Sequence, residues 1–129
     1  MNKKETKFRL RTKNLFLTYP QMPNIDYEIL KLEVISQYEV ILKMKRTEFE
    51  YCMCIELHED GNPHLHVYLG FNMPVGIYSA TKLDLVINGE TCHGNYQSVK
   101  SKHSTLQYII KSVENFDSIC TNMELPIID

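Results

Sequence analysis

Glu56-Leu57-His58-Glu59-Asp60-Gly61-Asn62-Pro63-His64-Leu65-His66 reads as the ends of two strands with a turn between them. Upstream, residues 50–57 alternate: Tyr51, Met53, Ile55 and Leu57 take one face, and Cys52, Cys54 and Glu56 the other. Downstream, Leu65, Val67 and Leu69 face one way, and His64, His66 and Tyr68 the other. Residues directly opposite on an antiparallel pair share a face. If Leu57 and Leu65 are both core, the loop must hold an odd number of residues, for example a three-residue turn with Gly61 in the left-handed conformation. The same parity puts Glu56 beside His64 or His66 on the second face. Burial and the clustering of polar ligands therefore demand one register.

Outward from this hairpin, Phe8 to Arg11 and Leu15 to Tyr19 read as strand, as one bent strand or two, ended by Pro20 and Pro23. Asp26 is placed to cap a helix with Tyr27, Leu30, Val34 and Tyr38 on one stripe. Residues 40–49 carry no clear period. Leu83 to Ile87 is a short strand before an Asn88-Gly89 turn, and residues 93–99 form a last strand. Ser104 is placed to cap a helix reaching about Glu114. The pattern predicts an α+β domain, with a central antiparallel sheet of about five strands, helices packed on one face and the other face open. Residues 1–129 read as a single domain. The tail is weakly patterned, and 116–129 is a candidate start of a linker or oligomerisation segment.

The chain has 129 residues, 43% hydrophobic and 23% charged, ordinary values for a globular domain. No signal peptide or membrane-spanning run is legible. Four cysteines without a framework spacing suggest a reduced, intracellular setting. The net charge of −2 argues against a protein that coats nucleic acid indiscriminately. The cations are nevertheless grouped. Lys3, Lys4, Lys7, Arg9, Arg11 and Lys13 crowd one end, and Lys100, Lys102, His103 and Lys111 form a second patch.

Two imidazoles and a carboxylate are a ligand set for a first-row divalent ion, with coordination positions left open for substrate. Glu56, His64 and His66 are the candidate metal ligands; a polar, solvated sheet face is the plainer reading. A zinc site drawing on Cys52 or Cys54 is an alternative, although Cys-x-Cys on a strand lacks the usual turn spacing. His58 lies at the hairpin edge. In the last helix, Leu106, Ile109, Ile110 and Val113 form the apolar stripe, which turns Tyr108 and Lys111 to the opposite side. Free tyrosine, with a pKa near ~10, attacks poorly unaided. A divalent ion can polarise a phosphate for it, and an ammonium can favour the phenolate or stabilise the leaving 3′ oxygen. These groups together suggest cleavage of a phosphodiester by Tyr108, with a covalent intermediate that permits rejoining.

Phe16-Leu17-Thr18-Tyr19-Pro20, His64-Leu65-His66 and Tyr108-Ile109-Ile110-Lys111 resemble, in order and spacing, the three motifs of rolling-circle replication initiators of the HUH endonuclease superfamily. The likeness is to the N-terminal domain of Rep proteins from geminiviruses and related circular single-stranded DNA viruses and plasmids. Glu56 to Gly61, Leu83-Asp84-Leu85 and His93-Gly94-Asn95-Tyr96-Gln97 strengthen it, and it covers roughly residues 7–115. The resemblance implies an RRM-like, ferredoxin-like HUH fold. It implies magnesium or manganese on Glu56, His64 and His66, Tyr108 as nucleophile and Lys111 as helper. It also implies single-stranded origin DNA, exposed on a stem-loop, as substrate, with an oligomerisation or helicase domain outside this chain and action in the host nucleus if the source is a eukaryotic virus. Arg9, Arg11, Lys13, Phe16, Thr18, Lys100 and Lys102 are the candidate DNA-binding residues; an aromatic at Phe16 can stack on a splayed base. Two departures stand out. Ser112 takes a position that is acidic in some relatives, and Gly94 one that is commonly proline. The competing readings are a non-catalytic RRM-like binder of single-stranded nucleic acid and a metal hydrolase using water.

Overall fold

The computed structural model describes residues 8–57, 63–113 and 118–125. Its elements are β1 (Leu10–Tyr19), α1 (Tyr27–Leu42), β2 (Glu50–Leu57), β3 (Pro63–Ile77), β4 (Leu85–Ile87), β5 (Glu90–Cys92), β6 (Asn95–Ser98), α2 (Lys102–Lys111) and β7 (Cys120–Thr121). Five strands form one sheet in the order β6-β1-β3-β2-β7, with every neighbouring pair antiparallel. The short β4–β5 hairpin stands apart from it. Its turn residues Asn88 and Gly89 have φ of 53° and 78°, as a two-residue hairpin turn with the matching twist requires.

The hairpin parity holds. Ile55 pairs with Leu65, Glu56 with His64 and Leu57 with Pro63, leaving residues 58–62 between the last paired positions. That loop is odd-numbered as expected, and longer than the three-residue example. The conformation of Gly61 and the place of His58 lie outside the described residues.

Each sheet face carries a separate cluster. Leu15, Leu17, Tyr19, Met53, Leu65, Val67 and Leu69 pack against Leu30, Val34, Ile35 and Tyr38 of α1. Asp26 caps that helix, its Oδ1 accepting from the Glu28 N–H at 2.8 Å. The unpatterned residues after 40 first finish the helix, then turn at Lys43, which is left-handed (φ 56°). On the other face, Cys52, Cys54 and Tyr68 lie beneath Leu106 and Ile109 of α2. The α+β class and five-stranded antiparallel sheet are as expected, but the two helices lie on opposite faces rather than together. A helical stripe identifies an apolar face without saying which surface it will cover. Here Cys52, Cys54 and Tyr68, read as the open side, supply an apolar bed for α2.

β1 changes sides partway. Thr12 pairs with Val75 but Asn14 with Gly70, so residues 71–74 stand opposite Lys13 alone. Before the break Leu10 packs on the α1 side; after it Phe16, of the same parity, packs on the α2 side. Thr12 holds the irregularity, its Oγ1 donating to the Asn14 carbonyl and accepting from the Asn14 N–H, each at 3.0 Å. The cap of α2 is Ser101, not Ser104. Ser101 is extended and its Oγ accepts from the Ser104 N–H at 3.1 Å, which places Ser104 inside the first turn.

Candidate active site

The site is built at the end of the α2 face where β1, β3 and β2 lie side by side. Thr18 and Cys54 flank His66 on the two neighbouring strands, and Glu56 lies opposite His64. Strand alternation therefore brings Glu56, His64 and His66 to one face, as the sequence requires. His66 is 5% exposed. Its Nε2 lies 3.2 Å from Glu56 Oε1, a diagonal contact across the ladder. Glu56 keeps 29% of its side-chain surface in contact with solvent, so the pair opens outward.

α2 brings Tyr108 to this pair. Burial of Leu106, Ile109 and Ile110 turns the intervening Tyr108 outward, and it is 54% exposed. Three rings meet there. Phe16 lies parallel to His66 within 5°, centroids 5.9 Å apart. Tyr108 meets both edge-on, 5.8 Å from Phe16 and 6.0 Å from His66, each at 89°. Edge-to-face contacts at these distances are favourable and fix ring orientation. Lys111 is exposed in the last turn of α2, a position a cation also favours for the helix dipole.

Among the described residues no three His, Cys, Asp or Glu side chains close into a metal cluster. The donor chemistry nevertheless fits a divalent ion. Adjacent ligands around an ion bound at about 2.1 Å stand about 3 Å apart, close to the 3.2 Å between Glu56 Oε1 and His66 Nε2. The cysteines do not join them. Burial pushes the Cys52 thiol up to about 12 and also raises Cys54, which disfavours the thiolate form that a metal would draw on. Cys54 Sγ lies 3.5 Å from Ser112 Oγ, whose hydroxyl donates to the Ile109 carbonyl at 2.7 Å. Ser112 thus seats the end of α2.

The remaining candidates are scattered. Arg9 and Arg11 are exposed ahead of the break in β1 and Lys13 is exposed at it, and Thr18 is half-buried beside His66. Lys100 is exposed, whereas Lys102 is paired to Glu50 at 2.8 Å. Tyr68, an expected open-face aromatic, is fully buried and donates to Asn14 Oδ1 at 2.6 Å. Burial pushes its phenol up to about 12. It cannot stack on a base, which weakens the reading of the protein as a simple sheet-face binder. No periodicity marks a role for Asn14 or Gln97. Gln97 is the cross-strand neighbour of Phe16, a relation visible only once β6 pairs with β1.

Residues 8–119 match the model of the geminivirus Rep catalytic domain. Two proteins of Chloris striate mosaic virus, a replication-associated protein A and a replication-associated protein, are each 34% identical over 111 residues, 86% of this chain. The chain spans 34% of the first and 28% of the second. No described helix is long and apolar enough to cross a membrane. With its motif order, its α+β sheet and a match across nearly its whole described length, the chain belongs to the geminivirus Rep catalytic domain family.

Proposed function

We propose that the chain initiates rolling-circle replication by nicking single-stranded origin DNA. The Tyr108 oxygen attacks the scissile phosphorus, the bond to the 3′ oxygen breaks, and that oxygen leaves as a hydroxyl after taking up a proton. The product is a phosphotyrosine at the new 5′ end. Attack by a 3′-hydroxyl on that linkage reverses the step and rejoins strands. The observation that carries this reading is the half-exposed Tyr108 ring, 6.0 Å from His66, itself 3.2 Å from Glu56.

Glu56, His64 and His66 would hold a divalent cation, with manganese favoured over magnesium by the two imidazoles. Such an ion supplies Lewis-acid polarisation of the phosphate. Phe16 and His66 hold the Tyr108 ring edge-on, which limits the orientations its hydroxyl can take. Lys111, one turn on from Tyr108, serves as the cation beside the leaving oxygen. Arg9, Arg11, Lys13, Thr18 and Lys100 are the side chains proposed to meet the DNA, presented on a stem-loop; Lys102, a candidate by sequence, is engaged by Glu50 instead. The chain spans 34% and 28% of those relatives, and a helicase or oligomerisation domain is proposed for the remainder of a longer protein. The setting we propose is the inside of the host cell, the nucleus for a eukaryotic host.

The test is an origin-like single strand labelled at its 3′ end, incubated with the protein and manganese and run on a denaturing gel. Label is expected at the mass of the protein, and none with Tyr108→Phe, which should still bind the strand. An adduct formed by Tyr108→Phe, or cleavage that survives complete chelation, would overturn the reading.

A further inference from the structure

α2 has 10 residues, fewer than the about 12–15 at which a helix holds its form alone, so its geometry depends on what it is tied to. Tyr108 lies in its last turn and Lys111 is its last residue. The last carbonyls of a helix lack partners within it. Here Ser112 supplies them. Its N–H donates to the Tyr108 and Ile109 carbonyls at 3.1 and 3.2 Å, and its hydroxyl donates to the Ile109 carbonyl at 2.7 Å. The end of α2 that carries the tyrosine is thus closed by one serine.

The same serine ties the helix to the sheet. Leu106, Ile109 and Ile110 hold α2 down without fixing its rotation, because hydrophobic attraction has no preferred direction. A hydrogen bond has one. Ser112 Oγ lies 3.5 Å from Cys54 Sγ. The single hydroxyl proton is directed at Ile109, so the thiol is the donor and Ser112 Oγ the acceptor. Cys54 is fully buried and stands directly opposite His66 across β2 and β3. It also shares its face with Glu56, two residues further along β2. The thiol is therefore fixed to the two strands that carry the candidate ligands. A buried cysteine more often serves as a small apolar filler. Cys54 does lie in the bed beneath α2, but its sulfur also meets the residue that closes the helix end.

We infer that Cys54 and Ser112 are positioning residues whose contact sets the rotation of the last turn of α2, and with it the line along which the Tyr108 oxygen meets the phosphate. The inference rests on the nicking reaction proposed above. Its effect falls on the rate of attack once strand and cation are bound, and not on the binding of either. Misplacing a reacting group by about 1 Å can cost about a hundredfold in rate, so a contact that holds one turn of helix in register has a measurable consequence.

The experiment uses the full chain, saturating manganese and origin-like single strands labelled at the 3′ end, under single-turnover conditions. The rate of adduct formation is compared for the wild type, Ser112→Ala, Ser112→Thr, Cys54→Ala and the double alanine variant. Calorimetry gives manganese affinity, and urea midpoints separate loss of fold from loss of rate. Ser112 is partly exposed, so its truncation spares the core. Each single alanine variant should form adduct about tenfold to a hundredfold more slowly, the scale of a misplaced reacting group. Strand and manganese affinities should stay at wild-type values. The double variant should be no slower than the slower single one, as expected of two groups that act through one contact. Ser112→Thr keeps the hydroxyl and should recover most of the rate. An unchanged rate in Ser112→Ala, or losses that multiply in the double variant, would overturn the inference and leave the nicking reaction standing. So would a fall in manganese affinity with Ser112→Ala, which would assign the hydroxyl to the cation. No wild-type adduct on any strand of an origin panel would remove the nicking reaction and this inference with it.

Discussion

His66 sits where three relationships meet: the contact with Glu56, the parallel packing of Phe16 and the edge-on approach of Tyr108. His66→Ala would remove a proposed metal ligand and a wall of the tyrosine site together. Manganese affinity, measured by calorimetry, should fall by at least about tenfold, the lower bound seen for groups that merely support a ligand. Adduct formation should fall with it. Gly94 shows a different residue-scale constraint, one of space. A Cβ there would meet the Tyr19 ring at 2.8 Å and the Thr18 carbonyl at 3.1 Å. Tyr19 cannot give way easily, because it is fully buried and its hydroxyl bonds Tyr38 at 2.7 Å and Leu83 at 2.6 Å. Gly94→Ala should therefore cost about 1–3 kcal/mol, the usual scale for overpacking, seen as a lower urea midpoint. An unchanged midpoint would show that the β5–β6 connection yields.

At the scale of the element, α2 matters because it carries the tyrosine. It starts at the Ser101 cap, is held to β2 by the Lys102–Glu50 pair and lies on Cys52, Cys54 and Tyr68. Ser101→Ala should cost about 1 kcal/mol, typical of a lost cap, read by chemical denaturation. The cysteines beneath report on the packing. Burial raises both thiols, and a raised thiol pKa means less thiolate at a given pH, hence slower attack on a thiol reagent. At pH 8 the native protein should label at Cys52 and Cys54 only as fast as it opens, and denaturant should release both. Rapid labelling of either in the native state would mean that α2 lifts readily. Across the sheet edge β7 pairs with β2, where Asn122 Oδ1 accepts from the Tyr51 N–H and its Nδ2 donates to the Phe49 carbonyl, both at 2.9 Å. The Asn122 amide thus extends the cover that β7 gives to the edge of β2.

For the molecule as a whole, net charge and charge placement point in different directions. The chain is slightly acidic, yet Arg9, Arg11 and Lys13 stand exposed together along β1. Lys102 belongs to the other basic patch in sequence, but its ammonium is already paired with Glu50. The two should separate in a salt titration of binding to a single strand. Arg11→Ala should reduce the slope of log affinity against log salt by about 0.7, one phosphate contact on a single strand. Lys102→Ala should leave the slope alone. Equal effects from both would mean that the pair with Glu50 opens when DNA binds.

Local periodicity is enough to read much of this protein. Alternation over residues 50–57 and 64–70 is sufficient to put Glu56 on the histidine face, because a one-residue slip would turn Leu65 and the polar side chains to the wrong faces together; that Glu56 stands opposite His64 rather than His66 came only with the fold. The Asp26 cap and the outward turn of Tyr108 follow from the same short-range geometry. The tertiary structure alone decided what each apolar face would cover. It set α2 on the histidine side, buried Tyr68 there and switched the faces of β1 at Thr12. It also paired Gln97 with Phe16, Lys102 with Glu50, and Cys120–Thr121 with the edge of β2. The reason is physical. A repeat of two or of 3.6 residues records which side of an element avoids water, whereas the partner on that side is chosen by contacts between segments distant in the chain.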